Sequence, residues 1–280
     1  MEYSKYYIED AFTIQYLVTC FESTFEKTYS CPGERHDFWE MVYVADGALG
    51  VTADDRILEL AKGQVIFHKP MEFHRLWSLK DTAPHAVIMS FGATGEGMRY
   101  FEDGVFYLGQ KEEAYLWHIL KQASRLTDGM TVKGNPQAPH AGQIIRCNLE
   151  LLLLSIQLHD QPVTVTPTSN KAVLYHDIIE YMQDHMHTKC TLDEIARGCN
   201  VSAGTVKNVL RRYTGESPIS YLNHMRLNEA KRMLANGFSM YETSDALGFS
   251  SQNYFSAFFK KLTGMTPSEY AGRFRKGGRP

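Results

Sequence analysis

The chain has 280 residues, of which 44% are hydrophobic and 22% are charged. This composition excludes a disordered or fibrous protein, and the length suits two domains of medium size. No apolar run approaches the roughly 18 residues of a membrane span, and the N-terminus lacks the basic and apolar segments of a secretory signal. The five cysteines are widely spaced, which indicates free thiols in a cytoplasmic protein.

The charge is distributed unevenly along the chain. Residues 171–280 hold 15 basic and 10 acidic residues, whereas residues 1–170 hold 14 basic and 22 acidic residues. The sign changes at 161–170, a segment with two prolines that we interpret as a linker. We therefore predict one domain over 1–160 and a basic domain over 171–280, of which only the second is expected to bind a polyanion.

Short strands are predicted in the first 110 residues. Stretches rich in β-branched and aromatic residues are separated by Gly, Pro and Asp turns, at 12–18, 40–45, 63–68 and 85–91. This spacing favours a small β-barrel or sandwich. A helix is predicted next, over 112–126. Its buried side is expected to carry Tyr115, Ile119, Leu120 and Leu126.

A second helix, predicted over 141–158, is apolar around most of its circumference. Such a helix is usually buried on several sides. One side is expected to contact the barrel. The rest either packs within the domain or pairs with a second copy of the chain, and the sequence favours neither alternative.

An internal repeat distinguishes the basic domain. RYTGESPISYLNHMR at 212–226 and KLTGMTPSEYAGRFR at 261–275 align at an offset of 49 residues. The identical positions include Thr214 and Thr263, Gly215 and Gly264, Pro218 and Pro267, Tyr221 and Tyr270, and Arg226 and Arg275. A duplicated structural unit is therefore predicted, with its copies at about 175–215 and 236–274.

Each copy has the pattern of a helix-turn-helix motif. In the first copy, Thr191 is expected to cap a helix over 192–197 and Ser202 a second helix over 203–213. Val206, Val209 and Leu210 are spaced to anchor that second helix. In the second copy, the corresponding buried face is expected to comprise Tyr254, Phe255, Phe258 and Phe259. A helix over 218–235 joins the copies.

The outward faces of the two second helices carry short, polar and basic groups. Such groups suit base edges and phosphates in a major groove. The alternative is a helical bundle with a duplicated packing unit that does not bind DNA. The predicted DNA-binding residues are Ser202, Ala203, Gly204, Thr205, Lys207, Asn208, Arg211, Ser251, Gln252, Asn253, Ser256, Ala257 and Lys260.

The segment GFSSQNYFSAFFKKLTGMTPSEY, residues 248–270, resembles the signature of the AraC/XylS family of transcription regulators. Residues 192–234 resemble its weaker first half. The resemblance implies two helix-turn-helix subdomains, bipartite sites near promoters, and base reading mainly by the first recognition helix. By position it assigns base contacts to Gly204, Lys207, Asn208, Gln252, Asn253 and Ala257. The chain departs from the family's usual residues at Gly204, Asn208, Ser244 and Ala257.

Two segments of the first domain, 36–47 and 63–74, look like degenerate cupin motifs. Strand alternation puts His36, Phe38, Glu40 and Val42 on one face, which this resemblance makes the barrel interior. Trp39 and Tyr43 would then face the helices. We expect an effector to contact His36, Phe38, Glu40 and His74.

A metal site at these residues is the alternative to an effector site. Glu34, His36, Glu40 and His74 together are a donor set that suits Fe, Mn or Zn. The usual His-X-His of cupin enzymes is absent, however, because Glu34 stands in the place of the first histidine. We therefore predict neither a metal nor a cofactor.

Together these patterns predict an α+β protein of two domains: a cupin-like β-barrel with flanking helices, then an all-α double helix-turn-helix domain. We expect a regulator, not an enzyme, that binds double-stranded promoter DNA and responds to a sugar or another metabolite. Activation, through RNA polymerase, is the commoner role that the resemblance implies, and a homodimer through 141–158 is expected. The alternatives are a metal-dependent cupin enzyme with an accessory helical domain, and a regulator that needs no ligand.

Overall fold

A computed structural model describes residues 4–79, 81–128, 130–159, 162–163, 170–188 and 190–275. The chain divides into two compact units, a first unit of residues 1–168 and a second unit of residues 169–280. Most of the predicted linker, 161–170, lies outside the described residues. None of the described helices combines the length and hydrophobicity that a membrane crossing requires.

Antiparallel strands form two sheets in the first unit. The larger sheet has the strand order β8-β5-β2-β7-β1-β10-β9, and the smaller has the order β4-β3-β6. The strands are β1 Thr13–Thr24, β2 Trp39–Asp46, β3 Ala48–Ala53, β4 Arg56–Ala61, β5 Gln64–His68, β6 His74–Ser78, β7 His85–Thr94, β8 Val105–Tyr107, β9 Thr127–Asp128 and β10 Thr131–Val132.

Alternating residues of β2 divide between two apolar clusters, because successive side chains of a strand point to opposite faces. Val42 packs with aliphatic residues of both sheets in an inner cluster, which fills the space between them. Trp39 and Tyr43 belong to an outer cluster, which packs the larger sheet against two helices, α1 Gln110–Ala123 and α2 Ala141–His159. The predicted orientation of these three residues is confirmed.

Helix α1 differs from its prediction at both ends. It begins at Gln110 and ends at Ala123, so Leu126 lies beyond it. The fully buried apolar residues are Leu116, Ile119 and Ala123, whereas Tyr115 and Leu120 are only partly buried. All four residues predicted for this side belong to or pack against the outer cluster, but Leu126 follows the helix instead of lying in it.

The first unit also contains a short 3-10 helix, Glu96–Phe101.

All the regular elements that the structure describes in the second unit are helices. The helices of the second unit are α3 Asn170–His185, α4 Leu192–Gly198, α5 Ala203–Thr214, α6 Pro218–Ala235, α7 Met240–Ala246, α8 Gln252–Thr263 and α9 Pro267–Arg275. The predicted connecting helix, 218–235, is confirmed as α6.

Candidate DNA-binding surface and effector site

Helices α4 and α5 form the first helix-turn-helix copy, and both of their predicted caps are confirmed. The Thr191 hydroxyl accepts a hydrogen bond from the Glu194 amide, and the Glu194 carboxylate accepts one from the Thr191 amide. The Ser202 hydroxyl accepts from the Thr205 amide at 3.1 Å. These bonds satisfy amides that have no partner in the first turn of a helix, so they fix where α4 and α5 begin.

Helix α5 presents one apolar and one polar face. Val206, Val209 and Leu210 are buried, as predicted. The C-terminal Gly215 adopts the left-handed conformation with φ of 77°, which ends the helix. Each of the predicted DNA contacts of this copy is exposed or partly exposed: Ser202, Ala203, Gly204, Thr205, Lys207, Asn208 and Arg211.

Helices α7 and α8 form the second copy with the same construction. Ser251 caps α8 by accepting from the Tyr254 amide, and Gly264 ends it with φ of 78°. Phe255 and Phe259 are buried. The residues predicted to contact DNA are again exposed or partly exposed: Ser251, Gln252, Asn253, Ser256, Ala257 and Lys260.

The assignment of Tyr254 to the buried face of α8 was wrong. Its side chain is 61% exposed, and Phe258 is only partly buried. The ring of Phe249, in the preceding turn, packs against Phe255 and Phe258 and so fills the space on that side. Tyr254 therefore lies beside Gln252 and Asn253 at the outward N-terminal end of α8.

Basic side chains follow the outward residues in both copies. Lys207, Arg211, Lys260 and Lys261 are exposed, and none of them forms an ion pair with an acidic side chain of the described residues. A cation without a partner is available to a phosphate, and neutralised phosphates supply most of the affinity of proteins for DNA.

Contacts within the second unit join the loop after α3 to the connecting helix α6 and to the second copy. The Arg226 guanidinium, on α6, donates to the carbonyl oxygens of Met186 and Thr188. The carbonyl of His187 lies so close to Gly248 that a Cβ atom there would be 2.0 Å from the oxygen. The loop after α3 is therefore packed against the turn of the second copy.

A polar row crosses the inner face of the larger sheet in the first unit. Glu40 on β2 is paired with Ser90 on β7 and with His68 on β5, and Ser90 is paired with Thr19 on β1. Directly opposed residues share a face, so the four side chains lie side by side. The Ser90 hydroxyl donates to Glu40 at 2.9 Å and bonds to the Thr19 hydroxyl at 2.7 Å.

The predicted effector residues meet at one end of this polar row. His74 Nε2 lies 3.3 Å from Glu40 Oε1, and His36 Nε2 lies 3.6 Å from Glu40 Oε2. The ring of Phe38 stacks on His36, with centroids 3.9 Å apart. Glu34, at 60% exposure, has its carboxylate 3.9 Å from His74 Nε2. The structure thus brings together all four residues predicted for the effector.

The electrostatics of the cluster couple these groups. Burial alone would raise the pKa of Glu40, but the neighbouring rings of His36 and His74 and the charge of His74 lower it below its usual range. Burial opposes a charge on His74, yet Glu40 raises the pKa of His74 above its usual value. Burial and the neighbouring His74 lower the pKa of His68.

Sequence reasoning missed His68 and Glu72. Both are almost fully buried, and the His68 Nδ1 atom lies 2.7 Å from Glu72 Oε2. His68 also stacks on His74, with ring centroids 4.4 Å apart. His68 ends a predicted strand, but only the register of β5 against β2 reveals that it faces Glu40.

A separate apolar groove lies on the helix side of the first unit. It has a volume of about 590 Å³ and is lined by β1, β10 and α2, with Leu17, Val132 and Ile145 among its residues. Sites for small molecules commonly have volumes of about 300–1,000 Å³. The groove therefore has the size of a small-molecule site.

Comparisons with known proteins assign both units. Residues 17–94 match the family described as the AraC-like ligand binding domain, and residues 195–273 match a helix-turn-helix domain family. The chain belongs to the AraC/XylS family of transcription regulators. Its two matched domains make it a DNA-binding regulator that responds to a ligand.

The relatives match the chain either over most of its length or over about a third of it. The transcriptional activator RhaS of Pectobacterium carotovorum is 24% identical over 267 residues, which span 92% of this chain and 94% of RhaS. The MmsAB operon regulatory protein of Pseudomonas aeruginosa is 32% identical over 98 residues, 35% of this chain and 32% of that protein. Among solved structures, ToxT from Vibrio cholerae is 14% identical, covers 93% of this chain and 97% of that one, and gives a TM-score of 0.37.

Proposed function

We propose that this protein is a sequence-specific transcription activator that reads two segments of one DNA site with α5 and α8. The observation that carries the proposal is the repeated construction of these helices. Each has a serine cap, a left-handed glycine end, a buried apolar face and an exposed face with unpaired basic residues. Activation is inferred because RhaS, which is similar to this chain over most of its length, is an activator by name.

The proposed roles divide the outward residues by their chemistry. Lys207, Arg211 and Lys260 would contact phosphates or guanine, whereas Asn208, Gln252 and Asn253 would read base edges. An amide side chain can bond to adenine through two atoms, which discriminates by about 1–3 kcal/mol. Because DNA lies in the cytoplasm of a bacterial cell, we place the protein there.

The length of α6 supports reading on one side of the duplex. Its 18 residues, at about 1.5 Å each, make a rod of about 27 Å. Successive major grooves on one face are about 34 Å apart. A rod of this length, with a recognition helix near each end, suits two adjacent grooves.

The sensing part of the proposal rests on the buried polar cluster of the first unit. We expect a small effector to contact His36, Phe38, Glu40 and His74. If the effector binds one conformation of the protein more tightly, it shifts the population towards that conformation. Glu40→Gln should abolish the response of DNA binding to the effector. Leu17→Trp, which fills the separate groove, is the matched control and should leave the response intact.

Pairing of two chains would double the DNA-binding surface, and α2 offers a suitable face. Leu151, Leu154 and Leu158 are exposed, and with Cys147 they are spaced four, three and four residues apart. This is the spacing of a coiled-coil seam, which pairs with a copy of itself. Leu154→Glu should convert dimers to monomers in sedimentation equilibrium, whereas Met130→Glu, at another exposed apolar residue, should not.

Selection of bound fragments from genomic DNA tests the proposed function. The full chain should enrich a bipartite site, and Lys207→Ala or Gln252→Ala should relax the enriched sequence while the fold is retained. Binding that is equally tight on all fragments and is lost steeply with salt would mean that the second unit is only a basic surface.

A further inference from the structure

In three histidine rings of the first unit, the Nδ1 atom is hydrogen-bonded to a neighbouring oxygen. The Nδ1 atoms of His36 and His74 lie 2.9 and 3.1 Å from the carbonyl oxygens of Phe38 and Glu72. The Nδ1 atom of His68 lies 2.7 Å from the Glu72 carboxylate. The two carbonyl oxygens have no proton to give, so the Nδ1 atoms of His36 and His74 must be the donors.

In a neutral ring of His36 or His74 the remaining nitrogen, Nε2, therefore carries a lone pair. The Nε2 atoms of His36, His68 and His74 are buried and have no hydrogen-bond partner among the described residues. The side chain of His74 is 1% exposed, and its Nε2 points towards Glu40. Buried polar atoms are nearly always paired, so three orphan nitrogens in one place require an explanation.

Two of these nitrogens share the space beside one carboxylate. Donor atoms of His36, Glu40 and His74 all lie within 4.8 Å of one another, and the two contacts to Glu40 measure 3.6 and 3.3 Å. A lone pair that faces a carboxylate oxygen is repelled unless a cation lies between them. That cation is either a proton on each ring or one metal ion shared by all three residues.

The distances favour a metal ion over protons. Hydrogen bonds from a charged ring to a carboxylate are about 2.7–2.9 Å long, shorter than both observed contacts. Ligands at about 2.0–2.1 Å from a tetrahedral ion are roughly 3.3 Å apart, close to both. We propose that the first unit binds one divalent transition-metal ion between His36 Nε2, His74 Nε2 and the Glu40 carboxylate.

The residues around the cluster have the arrangement that supports metal ligands. A ligating histidine usually donates its other ring N–H to a carbonyl or carboxylate, as His36 and His74 do here. Ser90 donates to Glu40 and so orients its carboxylate. Two histidines and one carboxylate suit Fe²⁺ and leave positions open, and the same donors suit Zn²⁺. Glu34, on the exposed side, is within reach of such a position.

All residues of the metal site lie in the first unit, and only the influence of the ion on DNA binding rests on the proposed function. Under that function, the ion is either the ligand that the protein senses or the point at which a small molecule is held. The ion would cross-link β2, β6 and the segment before β2, which carries His36.

Metal analysis of the full chain after equilibrium dialysis tests the proposal. Chelator-treated protein is dialysed against Zn²⁺, and against Fe²⁺ without oxygen. We expect one ion per chain for at least one metal, and at least tenfold weaker binding for Glu40→Gln and His74→Gln. His118→Gln, at an exposed histidine of α1, is the matched control and should bind as the unmodified chain does.

A second measurement on the unmodified chain avoids dependence on whether the variants fold. In ¹H–¹⁵N spectra of the imidazole rings, added metal should shift the Nε2 signals of His36 and His74 and leave their Nδ1 protonated. A folded chain that binds no ion, variants that keep the ion undiminished, or Nε2 atoms that stay protonated with metal present would overturn the proposal. DNA binding of the same samples is measured separately, so that loss of DNA binding with a bound ion contradicts only the proposed regulator.

Discussion

The two helix-turn-helix copies share a frame, which consists of the serine cap and the glycine end of each recognition helix. They differ in the side chains of their cores. Both recognition helices begin at a capping serine, Ser202 or Ser251, and end at a left-handed glycine, Gly215 or Gly264. Their cores differ, because α5 is anchored by aliphatic side chains and α8 by phenylalanines. Helix ends are fixed by backbone requirements that few residues satisfy, whereas an apolar core accepts any set of side chains that fills it.

The outward faces differ further. The first copy exposes Lys207, Asn208 and Arg211, and the second exposes amides and the ring of Tyr254. Since the frame presents both faces in the same way, the difference lies in what each face can recognise. The comparison therefore predicts equal losses of stability for changes in the frame of either copy. Changes on the outward faces should instead alter DNA recognition separately for each copy.

The largest effect is expected in the two cores. Phe259→Ala should lower the free energy of unfolding by about 3–5 kcal/mol and Leu210→Ala by about 2–5 kcal/mol, because each leaves a cavity in a packed core. Urea denaturation of the full chain measures both, and hydrogen exchange should localise each loss to its own copy. Leu262→Ala, at a residue 37% exposed, should change stability by less than about 0.5 kcal/mol. Equal loss of protection in both copies after either core change would mean that they unfold as one.

The turns offer a sharper test, because each copy has a residue with positive φ after its first helix. Gly248 has φ of 67° and faces the His187 carbonyl, whereas Asn200 has φ of 55°. Gly248→Ala should cost about 2 kcal/mol or more, since a Cβ atom is both strained and in collision. Asn200→Gly should cost less than about 1 kcal/mol, because glycine tolerates this conformation. Thermal unfolding compares them, and similar losses in the two variants would contradict the contact at His187.

The caps should give the smaller and equal effects. Ser202→Ala and Ser251→Ala should each lower stability by about 1 kcal/mol, because each leaves a first-turn amide without its side-chain acceptor. Replacement by aspartate, which retains an acceptor, provides the control and should restore most of the loss. A cost confined to one copy would show that the frames are not equivalent.

Local patterns were sufficient to predict the two recognition helices and the helix that connects them. Caps, glycine ends and apolar spacing all lie within a dozen residues of one another, and the repeat contains each of these signals twice. Tyr254 was misplaced because its environment is set by Phe249, outside the helix pattern that assigned it to the core. The bounds of α5 and α6 were close to their predictions because Ser202 and Pro218 act on the backbone directly.

The first unit was predictable in its strands and only in part at its site. Alternation along β2 correctly separated Val42 from Trp39 and Tyr43. His68 and Ser90, however, reach Glu40 through strand register, which depends on turns and pairings far apart in the chain. A sequence pattern within one strand cannot contain that information.

The claim that the two copies read different parts of one site is tested most directly by a base-substitution scan. Affinities of the full chain, Lys207→Ala and Gln252→Ala are measured for every single-base change across the selected site. The account predicts that each variant loses discrimination at its own segment, with the segments about one helical turn, roughly 10 base pairs, apart. If both variants lose discrimination at the same bases, or neither loses any, the two recognition helices do not read the DNA as proposed.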